Sequence, residues 1–342
     1  MPTRDDAGLP TEALFLLWAA RETGALDALA ESAGTPAALA TETDLTADAA
    51  ETVVRSLAEL GFLERVGGEY EPTNRMLGFL AKRDPRSTGR VPHALDRIDA
   101  LTALPAVLTG DGASRPDEHR TANRLGAAAA ADEAAVRARV TAALREVPNA
   151  EAVLAVDLLD PEAGVAPGPG VAADAREFAA RDRTVTYLAD AAAVDAAGPM
   201  LSAAGVEPVS GAKPVGETAA DATERYDLVY AVDRCRAVSS DAARAFVADA
   251  ADLIGPGGAV VLLERVRDRL SPEEAVAADV RALAIGTGGG TGSGGEAAGA
   301  HASDDYRAWG ESAGLPTELV AVPGSDHTAV VYRRPERTVQ ED

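Results

Sequence analysis

Lysine is almost missing from this chain: among 342 residues it stands only at Lys82 and Lys213. Asp and Glu number 55 against 32 Lys and Arg, a formal net charge of -23. Nucleic-acid binding rests on neutralising phosphates with Lys and Arg, so this balance argues against a nucleic-acid partner, although concentrated salt mutes the repulsion. An acidic, Ala-rich, Lys-poor chain suits solubility in concentrated salt and points to a halophilic, haloarchaeal setting; an ordinary acidic protein of a GC-rich genome is the alternative. Cysteine is a single residue, Cys235, which excludes an intrachain disulfide and a cysteine-based metal site. Aromatics are only 4%, so cores must be packed with Ala, Val and Leu. No run is long and apolar enough for a membrane span, and MPTRDDAGLP has no apolar signal core; the expectation is a soluble, cytoplasmic protein without a membrane partner.

What the chain does have is 46% hydrophobic residues and a length that predicts two domains. Residues 11 to 31 show apolar positions at helical spacing, with Gly24 as a break. Pro36 opens a short helix, and Thr46 caps a longer one with Val53, Val54, Leu57 and Leu60 on one face. FLERVGGEYEPT then alternates around Gly67-Gly68 as a hairpin. Helix, turn, helix and hairpin make a winged helix. A DNA reader carries Arg, Lys, Asn or Gln into the groove; here the second helix and the wing offer only Arg55 and Arg65, which favours a dimerisation scaffold.

Residues 75 to 110 and 131 to 146 read as helical, and 111 to 125 as a polar loop. From residue 152 strands and helices alternate. AVLAVDLL, VTYLAD, EPVSG, YDLVYAV and AVVLLERV are strands; SDAARAFVADAADLI and YRAWGESAG are helices; TELVAVPG and HTAVVYRR close the chain as a hairpin. The expected class is α/β: an N-terminal winged-helix domain (1–110), a helical linker (111–150), a Rossmann-like domain (151–336) with a mostly parallel seven-stranded sheet and an antiparallel last strand, and a disordered tail (337–342). GTGGGTGSGG (286–295) follows no strand and lacks a Lys, so it fails as a phosphate loop.

The order of these parts resembles one family, the S-adenosylmethionine-dependent O-methyltransferases of hydroxyindoles, caffeate-type phenols and polyketides. The resemblance is carried by LGFLERVGGEYEPT, LTALPAVLTG, YDLVYAV, the GPGG turn, VVLLERV and SDDYRAWGESAGL. It implies a homodimer built through the winged-helix half, with S-adenosylmethionine at the carboxyl ends of the strands and a small-molecule ligand beside it.

Methyl transfer needs orientation of two reactants, and a hydroxyl acceptor also needs a base, commonly His. The resemblance places the glycine loop after VLAV, where this chain has Asp157-Leu158-Leu159-Asp160-Pro161-Glu162, with Gly164, Gly168 and Gly170 farther on. It places the ribose carboxylate near Ala189, next to Asp190, which also reads as a helix N-cap. The acidic pair after the third strand is replaced by Gly211-Ala212, and the base His by Arg236, which cannot accept a proton. Arg236 is read either as an anion contact, with Arg234, or as a surface partner of Asp233 or Asp241. Glu264 matches the first supporting carboxylate and Glu296 stands for the second. The candidate catalytic set is therefore Glu264, Arg236 and Glu296, and the cofactor-binding set is Asp157, Leu158, Gly164, Asp190, Gly211 and Asp233. His93, His119, His301 and His327 lack metal-ligand spacing and read as structural, with His301 near the pocket. The function implied is methyl transfer to a small molecule with eroded motifs. A non-catalytic ligand sensor and a winged-helix transcription regulator are the alternatives.

Overall fold

The computed structural model describes residues 9–80, 89–109, 118–158, 170–211, 225–284 and 300–336. The chain divides into two compact units, Met1–Thr102 and Ala103–Asp342. The first holds α1 (Thr11–Glu22), α2 (Ala25–Glu31), α3 (Pro36–Glu42), α4 (Ala47–Glu59), β1 (Leu63–Val66), β2 (Glu69–Pro72), α5 (Asn74–Leu80) and α6 (Val91–Thr102). Thr35 and Thr46 accept the N–H groups of Ala38 and Ala49 at 3.1 and 3.3 Å. Such caps fix where α3 and α4 begin and contribute about 1 kcal/mol each. The buried face of α4, Ala50, Val53, Val54 and Leu57, joins Leu17, Leu26, Leu39, Phe62 and Met76 in one core. Gly67 and Gly68 both have positive φ, 61° and 111°, which a two-residue hairpin turn requires and side chains resist. This is the expected winged helix.

The second unit holds α7 (Leu104–Leu108), α8 (Glu118–Ala129), α9 (Glu133–Glu146), β3 (Ala152–Asp157), α10 (Ala172–Ala179), β4 (Thr184–Ala189), α11 (Ala191–Ser202), β5 (Glu207–Ser210) and β6 (Tyr226–Val232). A 3-10 turn at Cys235–Ala237 leads to α12 (Ser240–Leu253) and β7 (Ile254–Glu264). After a second such turn at Arg267–Arg269 come α13 (Pro272–Ala284), α14 (Ser303–Ser312), β8 (Thr317–Ala321) and β9 (Thr328–Arg333). The seven-stranded sheet runs β5-β4-β3-β6-β7-β9-β8. It is parallel from β5 to β7, and β9 is antiparallel to both its neighbours. Both faces are covered, so the central strands are continuous apolar runs. Alternate residues enter opposite cores: Val153, Ala155, Tyr187 and Tyr230 on one side, Leu154, Val156, Leu188 and Val229 on the other.

Four details differ from the sequence reading. Residues 118 to 125, expected as loop, begin α8, because Arg124 and Leu125 are buried. Residues 172–179 and 272–284 form α10 and α13, two helices the reading did not name. For α13 a signal was present: Ser271 accepts the N–H of Glu274 at 3.3 Å while Glu274 accepts the N–H of Ser271 at 2.9 Å, a reciprocal capping box. The GPGG segment, expected as a turn, lies within β7, where the register with β6 shifts between Tyr226 and Leu228. The described part of segment 111–150 packs on the second unit: Arg139 of α9 binds Asp174 of α10, and Arg333 of β9 binds Glu146. Residues 337–342 lie outside the described residues.

Candidate functional site

Parallel strands end together, and open α/β sheets bind ligands beyond those ends. Asp157 is the last residue of β3 and pairs in register with Ala189 of β4, which pairs with Ser210 of β5. Asp157 is 6% exposed. Its Oδ1 accepts from Arg124 Nη1 at 2.7 Å, and its Oδ2 accepts from the Tyr187 hydroxyl at 2.6 Å and the Val171 N–H at 3.3 Å. Gly170 lies over this pair at φ 83°. A Cβ there would run into Asp157 Oδ2 and lie 2.5 Å from Arg124 Nη1, so the close approach requires glycine. Burial raises the pKa of the Tyr187 hydroxyl well above its usual range, and the adjacent Asp157 charge raises it further.

Asp190 follows β4 and caps α11, accepting the Ala193 N–H on Oδ1 at 2.8 Å. The N-cap reading therefore holds, and Oδ2 makes no hydrogen bond among the described residues. Gly211 follows β5, and its N–H donates to the Ala189 carbonyl at 2.9 Å. Leu158 is 2% exposed and belongs to the core.

Across the sheet, Asp233 follows β6 at φ 52°. It is buried and surrounded by cations: Arg236 Nε lies 3.3 Å and His327 Nε2 3.5 Å from Oδ1, and Arg265 Nη1 binds Oδ2. Burial pushes the Asp233 carboxyl up, but Arg236, Arg265 and His327 outweigh it and hold it well below the usual range. His327 Nδ1 contacts Asp326 Oδ1 at 3.2 Å and the Ser325 hydroxyl at 2.9 Å. Burial lowers its pKa, and Asp233 and Asp326 more than reverse this. A carboxylate at each nitrogen favours the protonated ring of His327. Arg236 is 4% exposed, so its pairing with Asp233 is buried, not at the surface.

Glu264 ends β7 and is fully buried. Its Oε1 accepts the Cys235 N–H at 2.8 Å, while Oε2 has no hydrogen-bond partner among the described residues. Burial, then the Asp233 charge, push its carboxyl up to about 7. His301 Nε2 donates to the Cys235 carbonyl at 3.1 Å, with its ring against Trp309 and Tyr306.

The structure thus places Asp157, Leu158, Asp190, Gly211, Asp233, Arg236 and Glu264 at or just beyond the carboxyl ends of the parallel strands. Gly164 and Glu296 lie outside the described residues. Sequence reasoning missed Arg124, Arg265, Asp326 and His327. No local motif marks them: the roles of Arg124, Asp326 and His327 come from α8 and the β8–β9 turn folding onto the strand ends, and that of Arg265, just after β7, from its pairing with Asp233 and Asp326. A cleft of about 620 Å³ beside His327 is lined by Arg269, Glu274 and Asp326 but by none of the candidate residues.

No family model matches the sequence, and no curated protein matches it. Solved structures do. An O-methyltransferase family protein from Burkholderia thailandensis matches with a TM-score of 0.59 at 21% identity, over 95% of both chains. Human N-acetylserotonin methyltransferase, solved in complex with S-adenosylmethionine, matches with a TM-score of 0.57 at 17% identity, over 95% of this chain and 94% of that one. PigF, solved with S-adenosylhomocysteine, matches with a TM-score of 0.61 at 15% identity, over 94% of this chain and 96% of that one. The chain therefore has the fold of the S-adenosylmethionine-dependent O-methyltransferases.

Proposed function

We propose that this chain binds S-adenosylmethionine beyond the carboxyl ends of β3, β4 and β5, and that it is an O-methyltransferase-type homodimer acting on a small molecule. The observation that carries the reading is the pair of carboxylates, Asp157 and Asp190, at the ends of adjacent parallel strands, with Gly170 folded over the first. The residues present fit such a ligand in two respects. Asp190 uses only Oδ1 as a cap, leaving Oδ2 for a ribose hydroxyl. Arg124 keeps buried Nε and Nη2 donors without hydrogen-bond partners among the described residues. The chemistry supplied by the bound cofactor is an activated methyl group, so the chain's own task is to orient the acceptor and exclude water. Glu264 sits where an acceptor would be oriented, and with a carboxyl near pH 7 it is suited to hold or release a proton.

A second reading, a non-catalytic ligand sensor of the same fold, is favoured by one observation. The position implied for the base holds Arg236, locked onto Asp233. A transcription regulator is disfavoured, because exposed Arg55 and Arg65 stand among exposed Glu51, Glu59, Glu64 and Glu69.

Thermal unfolding in molar potassium chloride tests the reading. The midpoint is expected to rise steadily with S-adenosylhomocysteine concentration, as linkage requires. A midpoint indifferent to the nucleoside would remove it. Ligand-dependent stabilisation with no transfer to any hydroxyl acceptor would select the sensor.

A further inference from the structure

In a chain with 55 Asp and Glu against 32 Lys and Arg, a half-buried arginine has carboxylates to spare. Arg139, Arg181 and Arg333 of the second unit take Asp174, Glu177 and Glu146. Arg281, in the last turn of α13, is half-buried as well. It makes no ion pair and no hydrogen bond among the described residues, and its neighbours are other arginines.

A cation in the last turn of a helix favours the dipole, which explains an arginine at this end of α13 but not its company. Asp233 holds Arg236 and Arg265. Arg267, just beyond β7, anchors α13 through Asp279 at 3.0 Å, two residues before Arg281. Arg281 thereby stands close to the first two guanidiniums. Burial lowers its pKa, and Arg236 and Arg265 lower it further, more than Asp326 and Asp233 raise it. The local balance is uneven. Three guanidiniums and His327, whose pKa is raised, stand against Asp233 and Asp326. Both carboxylates are already shared between Arg265 and His327. Glu264, the other acid beside Asp233, is pushed up to about 7 and carries less than a full charge at neutral pH. Like charges in a partly buried place are poorly screened by salt, and a positive excess focused in a crevice attracts an anion. In a protein of net charge -23, such an excess is a local construction.

We infer that Arg281, with Arg236 and Arg265 held beside it by Asp233, forms an anion site beyond the ends of β6 and β7, selective for a small molecule bearing a carboxylate or phosphate group. That this molecule is the methyl acceptor rests on the reading above, since Arg236 stands where the resemblance puts the base. The bound anion would neutralise the excess, and Arg281 would supply the planar, bidentate donor edge that suits it.

The test is thermal unfolding of wild type and Arg281→Gln in molar potassium chloride, alone and with benzoate, phenyl phosphate or neutral benzamide. Without a probe, Arg281→Gln is expected to unfold about 2 °C higher, because like-charge repulsion is relieved. An unchanged or lower midpoint would mean that the guanidinium serves the helix, and would overturn the inference. At least one anion is expected to raise the wild-type midpoint by about 2 °C or more beyond benzamide, with no such rise in Arg281→Gln. Which anion acts separates carboxylate from phosphate. A rise that persists in the variant would place the anion elsewhere, and a wild type indifferent to both anions would show no site; either overturns the inference. S-adenosylhomocysteine, titrated in parallel into the wild type, tests the methyltransferase reading separately. A response to the nucleoside without one to the anions removes only the anion site, and the converse removes only the acceptor assignment.

Discussion

Glu264 at the end of β7 accepts the backbone N–H of Cys235 on Oε1 at 2.8 Å and leaves Oε2 buried without a hydrogen-bond partner among the described residues. One oxygen ties the segment after β6, which carries Arg236, to the neighbouring strand. The other gains nothing from being charged.

That asymmetry makes stability depend on pH. Burial and Asp233 raise the Glu264 carboxyl to about 7 in the folded chain, above its unfolded value. The unfolded state therefore releases this proton first. The contribution is fully present below about pH 4.5 and is lost as pH rises to about 7, by about 3 kcal/mol. Glu264→Gln keeps an acceptor for Cys235 and should flatten most of that decline in denaturant titrations. His327, whose pKa is also raised, has the same sign and accounts for what decline is left. Asp233 and Asp326, both lowered, have the opposite sign and weaken the fold only in acid. A decline unchanged in Glu264→Gln would refute the assignment.

Breaking the Arg124–Asp157 pair on one side leaves a buried charge. Arg124→Met should destabilise the second unit by about 3–5 kcal/mol. Adding Asp157→Asn should recover a large part of it, because both partners are then neutral. Chemical denaturation of the three proteins checks this; losses that simply add would show that the pair is uncoupled.

Gly170→Ala combines a φ of 83° with a Cβ set against Asp157 Oδ2 and Arg124 Nη1. The expected cost is about 1–3 kcal/mol in stability, together with loss of nucleoside binding. An alanine variant with unchanged unfolding and binding would mean that the backbone over Asp157 is not fixed.

The fold was legible because each of its levels agrees. Thr46 caps where α4 begins, Gly67-Gly68 turn the wing, and YDLVYAV matches β6 end to end. That Asp157, Asp190 and Glu264 stand at strand ends was legible from periodicity, while their candidate roles came from the family resemblance alone. Arg124 was not legible. It lies in a stretch that reads as polar loop, and its meaning comes from Asp157, far along the chain. The raised pKa of His327 likewise depends on Asp233 across the sheet, together with the adjacent Asp326. Pairings of this kind are set by topology, which a single sequence does not display locally.

A net charge of -23 with two lysines predicts salt-dependent folding. Self-repulsion among carboxylates opposes the compact state and is screened by salt. The unfolding midpoint should climb from millimolar to molar potassium chloride. A midpoint independent of salt would contradict the halophilic reading.

The central claim is that the strand-end crevice holds an adenosyl ligand against Asp190. Calorimetric titration of S-adenosylhomocysteine into wild type and Asp190→Ser tests it most directly, since serine preserves the α11 cap while removing the carboxylate. The account predicts saturable binding to the wild type with one site per chain, weakened about tenfold or more in Asp190→Ser. Equal affinity in the two proteins, or no heat from folded wild type, would contradict it.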